Sequence, residues 1–302
     1  MQPLTRRTLL TRAALAAVAP LALTKRAWAI DPIGRTRPSH LKLSLAAYSY
    51  RQLLQGKDKK IDMFDFVNLA ADIALDAVEL TSYYFPEDVN DDYLHRIKLH
   101  AFKLGLDVSG TSVGNNFCLP PGPERDKQLA LVRTWVDRAA AMDAPVIRIF
   151  AGGVPKGGSE DEAAARAVEG INASLPYAAE NGVALALENH GGITATPKQI
   201  LALVKAVKAP HGNFGVNLDT GNFRGEDPYA ELAELAPYAI NVQVKTEISR
   251  KGQKKEEADL GRVVGVLRDA RYSGYVVLEY EAAEDPMTAV PRHIKTLRGL
   301  MG

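Results

Sequence analysis

From Leu41 to the C-terminus, short runs rich in Val, Ile and Leu alternate with longer segments of helical period. Such alternation predicts consecutive βα units over a parallel sheet. Eight candidate strands can be read: LKLSLAA from Leu41, AVELT from Ala77, LDVSGTS from Leu106, PVIRIF from Pro145, VALALEN from Val183, NFGVNLD from Asn213, AINVQVK from Ala239 and YVVLEYE from Tyr275. Their spacing of about 30 residues suits a βα crossover. Gly105, Gly182 and Gly274 each stand between a helical stretch and a strand, which predicts left-handed helix stops. Thr196-Pro197, Asp227-Pro228 and Asp285-Pro286 each put a capping side chain before a proline at the first helical position. Eight units within residues 41–302 match one α/β domain, a (β/α)8 TIM barrel, whereas a doubly wound open sheet more often stops at five or six strands. Residues 30–40 form an N-terminal extension to it.

The first 29 residues follow a different pattern. A basic start, an Ala/Leu stretch and the small-residue end Ala27-Trp28-Ala29 suit a cleavable export signal. Arg12 and Pro20 interrupt the apolar run, so a stable membrane span is not expected. Thr5-Arg6-Arg7-Thr8-Leu9-Leu10 resembles the twin-arginine motif. That route exports folded proteins, so the expected transient partner is the twin-arginine machinery and the expected location the periplasm. A cofactor can then be loaded before transport.

Composition narrows the chemistry. The chain has 302 residues, 46% hydrophobic and 24% charged, as a globular protein should. With 37 basic and 36 acidic residues the formal charge is +1, and losing the signal removes five basic residues and no acid, leaving the mature chain near −4. Nucleic acid is therefore not an expected partner. A single cysteine, Cys118, excludes an intramolecular disulfide framework, a Cys-rich zinc site and a thioredoxin-like pair. Carboxylates, histidines, amides and lysines must supply the chemistry.

In such a barrel the C-terminal strand ends carry the active site. Strand five ends in Glu188-Asn189-His190, strand six in Asp219-Thr220-Gly221-Asn222, strand seven in Gln243-Val244-Lys245 and strand eight in Glu279-Tyr280-Glu281. Glu188, Asp219, Gln243 and Glu279 make a hard, oxygen-rich set suited to one divalent ion, with Mn²⁺ first and Mg²⁺, Co²⁺ or Zn²⁺ as substitutes. The other reading is that these acids cap loops or pair with Arg148 and Lys245. Lys245 could have a lowered pKa near a cation and bind an oxyanion or shuttle a proton, or it could pair with Glu247 or Glu281. His190 is read as a hydrogen-bond partner for substrate or for water on the metal. Arg148 and Glu79 are each read as a substrate contact or an internal ion pair. Tyr48, Tyr50 and Arg51 after strand one and Tyr83, Tyr84 and Phe85 after strand two give an aromatic wall against which sugars could stack, or a core plug. Ser249 to Glu257 is read as a solvated charged loop, or as a lid whose Lys and Arg grip an acidic group.

The runs ALENHGG, VNLDTGN, NVQVK and GYVVLEYE resemble the xylose isomerase-like barrel superfamily, also called sugar phosphate isomerases/epimerases, over essentially the whole mature chain. The resemblance implies a metal held by Glu, Asp, His and Glu from strands five to eight, with the two glutamates exchanging protons with the substrate. Glu188, Asp219 and Glu279 carry over as metal ligands, and Glu188 and Glu279 as the acid/base pair. The family's strand-seven histidine is Gln243 here, a weaker neutral ligand. The histidine often found three residues after the strand-six aspartate is Asn222, a substrate-binding candidate, which argues against the trinuclear zinc site of the superfamily's apurinic-site nucleases. A homodimer is compatible with the resemblance.

The expected activity is metal-dependent proton transfer next to the carbonyl of a small carbohydrate, giving epimerisation or aldose–ketose isomerisation. With a leaving group on the β-carbon the same enolate would make the protein a lyase or dehydratase on a keto-sugar or 3-keto-glycoside. A carbohydrate-binding barrel without catalysis is the reading from another class.

Overall fold

The computed structural model describes residues 30–302 except residue 58; the export signal, residues 1–29, lies outside the described residues. All eight expected strands are present: β1 (Leu41–Ala46), β2 (Ala77–Thr81), β3 (Asp107–Ser112), β4 (Val146–Ile149), β5 (Ala184–Glu188), β6 (Phe214–Asp219), β7 (Ala239–Val244) and β8 (Gly274–Leu278). Each pairs in parallel with the next, and β8 closes on β1 with Leu45 opposite Leu278. Helices follow the strands in turn: α1 (Met63–Asp72), α2 (Asp91–Lys103), α3 (Pro123–Ala141), α4 (Glu160–Glu180), α5 (Pro197–Ala206), α6 (Pro228–Leu235), α7 (Leu260–Asp269) and α8 (Pro286–Met301). Among the described residues no helix is long and apolar enough to cross a membrane.

The caps work as local chemistry demands. Thr196, Asp227 and Asp285 each accept a hydrogen bond from a first-turn backbone N–H, ahead of Pro197, Pro228 and Pro286. Gly105 and Gly182 adopt φ of 75° and 70°, as left-handed helix stops require. Gly274 differs: it is the first residue of β8, and Arg271 at φ 52° takes the left-handed position after α7.

Strand alternation sorts the side chains into two layers. Val216, Leu218, Val242 and Val244 are fully buried in the apolar core shared with the helices, while Asn217, Asp219, Asn241 and Gln243 alternate with them and face the barrel interior. Where such barrels usually stack branched aliphatic side chains, this interior is strongly polar. The pairing registers shift at Val78/Glu79 between β2 and β3 and at Val216/Asn217 between β6 and β7. Irregularities of this kind re-aim side chains, and Glu79 and Asn217 are two members of the interior polar cluster.

After β7 the chain forms an antiparallel hairpin, Glu247–Ser249 with Lys255–Glu257, where the sequence suggested a solvated loop or lid. At the opposite end of the barrel the extension 30–40 is tied down by Ile33 N–H donating to Pro237 O and the Arg35 guanidinium donating to Ala239 O.

Candidate active site

Below the mouth lies a closed ring of hydrogen bonds. Gln243 Nε2 donates to Glu79 Oε1 at 2.7 Å, Asn217 Nδ2 to Gln243 Oε1 at 2.7 Å, Asn241 Nδ2 to Asn217 Oδ1 at 2.8 Å, and Asn241 Nδ2 also to Glu79 Oε2 at 3.0 Å. Burial pushes the Glu79 carboxyl up to about 7, with the Glu279 charge adding to the rise and Arg148 opposing it. Of the two readings for Glu79, its contacts are those of internal pairing.

At the strand ends above this ring the charges collect. Glu188 Oε2 meets Arg148 Nε at 2.9 Å, and its Oε1 accepts from Asn222 Nδ2 at 3.0 Å. Arg148 also donates to Val113 O at 2.8 Å and packs against the Phe150 ring, with its guanidinium carbon 4.0 Å from the ring centroid. Burial raises the Glu188 carboxyl well above its ordinary range, Arg148 opposes the rise, and the Asp219 and Glu279 charges reinforce it. On the other side, Lys245 Nζ lies 2.5 Å from Glu279, 3.0 Å from Glu281 and 3.4 Å from Asp219. The pairing of acids with Arg148 and Lys245, one of the two readings of the sequence, is thus present in these contacts. A lowered Lys245 pKa is not: burial alone would depress it, but Asp219, Glu279 and Glu281 raise it well above normal.

Asp219 is the most constrained acid. Asn189 clamps its backbone, donating from Nδ2 to Asp219 O and accepting at Oδ1 from Asp219 N–H, both at 2.9 Å. The Gly221 N–H donates to Asp219 Oδ1 at 2.9 Å, whereas Asp219 Oδ2 is buried and accepts no hydrogen bond. Burial pushes this carboxyl up to about 7, Lys245 pulls it down, and the Glu279 charge adds to the rise. Only glycine fits at 221, since a Cβ there would lie 2.6 Å from Lys245 Cγ.

The remaining candidates divide between rim and scaffold. His190 is exposed at the rim, its ring 4.3 Å from that of Phe150. Tyr48 is half-buried, with Lys245 Nζ 5.9 Å from its ring centroid, and forms edge or tilted contacts with Tyr83 and Tyr84. Tyr50 is core. Arg51 donates to Tyr280 O at 2.9 Å and Glu281 O at 3.0 Å, stitching the first strand's loop to the last.

Three buried carboxylates, Glu188, Asp219 and Glu279, stand at the C-terminal ends of β5, β6 and β8, and Asp219 Oδ2 accepts no hydrogen bond, with Lys245 Nζ 3.4 Å away. Gln243 Oε1 accepts one hydrogen bond and retains a second lone pair. Four carboxylates, with Glu281, face two side-chain cations. In chemistry and charge this set fits a hard divalent ion. Among the described residues no three His, Cys, Asp or Glu side chains converge as a ready-made metal site, and Arg148 and Lys245 stand among the acids.

No role is assigned from the sequence to Asn189, though it stands at the end of strand five, or to Asn217 and Asn241 deeper in their strands. The period-two alternation in VNLD and INVQVK was the available signal.

A closed parallel barrel with its acids gathered at the C-terminal ends of β5, β6 and β8 defines a (β/α)8 protein with an enzyme-like mouth. Residues 67–300 match the model of the xylose isomerase-like TIM barrel family, and the chain belongs to that family. No curated protein matches the chain in sequence. Among solved structures it is similar to D-psicose 3-epimerase with D-tagatose from Clostridium cellulolyticum H10, at 16% identity over 86% of this chain and 99% of that one, with a TM-score of 0.69. It is also similar to an L-ribulose 3-epimerase, at 15% identity, 86% and 94% coverage and a TM-score of 0.70. A third is the probable 3-DHS dehydratase AsbF, involved in petrobactin synthesis, from Bacillus anthracis, at 17% identity, 85% and 98% coverage and a TM-score of 0.64. At these identities the likeness is one of fold.

Proposed function

We propose that this protein is a divalent-metal-dependent sugar isomerase or epimerase that moves a proton at a carbon next to a carbonyl. The observation that carries the reading is the pair of buried glutamates from β5 and from the end of β8, each held by its own cation, Glu188 by Arg148 and Glu279 by Lys245, with Asp219 between their strands. Glu188, Asp219 and Glu279, with Gln243 Oε1 as a neutral fourth donor, would hold the ion, with Mn²⁺ as first choice. When bound, it supplies Lewis-acid stabilisation of negative charge developing on oxygen.

The chain's own residues perform the transfer. Glu188, oriented by Arg148 and Asn222, takes the C–H proton; Glu279 returns one to the opposite face of the same carbon for epimerisation, or to the neighbouring carbon for isomerisation. Tyr48 offers a ring for the sugar's C–H face. His190 and Asn222 stand at the rim to meet hydroxyls, and Lys245 has an ammonium beside Glu279 to stabilise an oxyanion.

That ammonium also favours a second reading. An ammonium 2.5 Å from Glu279 would stabilise negative charge on a departing β-oxygen, which would make the protein a lyase or dehydratase on a keto-sugar. A dehydratase stands among the structural neighbours beside the epimerases.

Proton NMR in heavy water, on protein stripped with chelator and reloaded with Mn²⁺, tests both against a panel of ketoses and 3-keto-glycosides. Metal-dependent exchange with an epimer or aldose as product supports the first reading, and loss of a β-substituent the second. Binding without exchange would leave a carbohydrate-binding barrel. The proposal includes twin-arginine export to the periplasm. Fractionation of cells making the full chain should find it in the periplasmic fraction, and Arg6→Lys with Arg7→Lys should retain it in the cytoplasm.

A further inference from the structure

The two proton-transfer glutamates are mounted differently. Glu188 is the last residue of β5, and its backbone sits inside the sheet, paired with Asn217 of β6. Glu279 lies one residue past the end of β8, beyond the last pair that β8 makes with β1, Leu278 with Leu45. On the β7 side its backbone is still held, since Glu279 N–H donates to Val244 O at 2.9 Å. On the β1 side no strand is left, because β1 ends at Ala46 and the chain enters a 3₁₀ turn, Ala47–Tyr50. Leu278 O and Tyr280 N–H, the peptide groups flanking Glu279 in a buried stretch, therefore need another partner, and leaving them unpaired would cost as much as lost hydrogen bonds.

One hydroxyl takes both. Ser49 Oγ donates to Leu278 O at 3.1 Å and accepts from Tyr280 N–H at 2.9 Å, and the side chain is buried at 2% exposure. A serine hydroxyl has one donor and two acceptor sites, so a single side chain stands in for the rung that β1 no longer supplies. Its two bonds bracket Glu279. Arg51, two residues on, lengthens the hold by donating to Tyr280 O and Glu281 O. The loop after β1 thus grips the backbone that carries Glu279 from one side, while β7 grips it from the other.

We propose that Ser49 is a positioning residue for Glu279, fixing where its carboxylate stands against Lys245, 2.5 Å away, and against the ion and the substrate carbon it is to meet. Misplacing a reacting group by about 1 Å can cost on the order of a hundredfold in rate, so a hydroxyl spent entirely on the backbone still acts on the chemistry. The proposal rests on the reading of the mouth as a metal-dependent enolising site. The same strand supplies a control: Ser44, five residues earlier and fully buried, has its Oγ 2.8 Å from Ser109 Oγ in the barrel interior and bonds no part of the acid-bearing strand ends.

Two readouts on Ser49→Ala and Ser44→Ala test it: calorimetric titration of the chelator-stripped protein with Mn²⁺, and solvent-deuterium exchange by the reloaded protein on the same panel of ketoses and 3-keto-glycosides. Ser49→Ala should bind Mn²⁺ about fivefold more weakly and lose about tenfold in kcat for exchange, with KM within about twofold, the signature of an interaction used in the transition state. Ser44→Ala should leave Mn²⁺ affinity and kcat at the unaltered level. Ser49→Ala matching Ser44→Ala in both readouts overturns the positioning role. Failure of the enolising reading looks different: Ser49→Ala weakens Mn²⁺ binding, yet no sugar exchanges even with the unaltered protein. An unaltered protein that neither takes up Mn²⁺ nor exchanges takes down both.

Discussion

Two layers of the barrel interior, one above the other, are built on opposite principles. In the lower layer Glu79, Asn217, Asn241 and Gln243 satisfy one another in a closed ring, and every side chain is held by neutral amide donors around a single carboxyl. In the upper layer Glu188, Asp219 and Glu279 crowd around two cations, and a buried oxygen of Asp219 is left without a hydrogen bond. The ring fixes geometry. The charged layer stores unfavourable electrostatics at the point where substrate arrives, as reactive sites do. Strand alternation links them, since Asn217 precedes Asp219, and Gln243 precedes Lys245, on the same inward face.

The contrast can be broken most sharply in the upper layer. Glu188→Gln should lower proton exchange by about a thousandfold, because a neutral amide of the same shape cannot take a proton, and it should also cost stability, since it leaves the buried Arg148 without its counter-charge; exchange rates and a urea melt separate the two effects. Arg148→Ala should cost about 3–5 kcal/mol in urea unfolding at neutral pH, since it leaves Glu188 buried without its counter-charge. The deficit should narrow at low pH as Glu188 protonates. In the ring, Asn217→Ala strands Gln243 Oε1 and removes one of the two acceptors of Asn241 Nδ2, which predicts a loss of about 1–3 kcal/mol.

The pH response sharpens the comparison further. Glu79 and Asp219 hold their protons up to about pH 7 in the folded protein, against ordinary values of 4.5 and 3.8. The folded state therefore binds more protons than the unfolded chain across that window, and stability should fall as pH rises from about 4.5 to 7. Glu79→Gln should remove its share of that slope, on the order of 1–3 kcal/mol, while the share from Asp219 and Glu188 persists. Denaturant midpoints between pH 4.5 and 7.5 give the two slopes directly.

The barrel was legible because its strands and caps are local signals. AVELT, VNLD and INVQV announce themselves by β-branched content and bounded length, and Thr196-Pro197 or Asp285-Pro286 need only their own neighbours to start a helix. The acids were legible because the fold class says where strand ends meet. What could not be read was pairing across the barrel. Glu79 lies 162 residues from Asn241 and 164 from Gln243 in sequence, and nothing local to any of them states the contact. Lys245 shows the same limit: the sequence gives its place two residues after Gln243, but its raised pKa depends on three acids from two other strand ends.

The central claim is that proton transfer belongs to the charged layer and that the ring beneath only supports it. Solvent-deuterium exchange on metal-reloaded Glu188→Gln and Asn217→Ala, beside the unaltered protein and with the same ketose, tests this most directly. The account predicts that exchange vanishes in Glu188→Gln and stays within about tenfold of the unaltered rate in Asn217→Ala. Exchange at the unaltered rate in Glu188→Gln would contradict it.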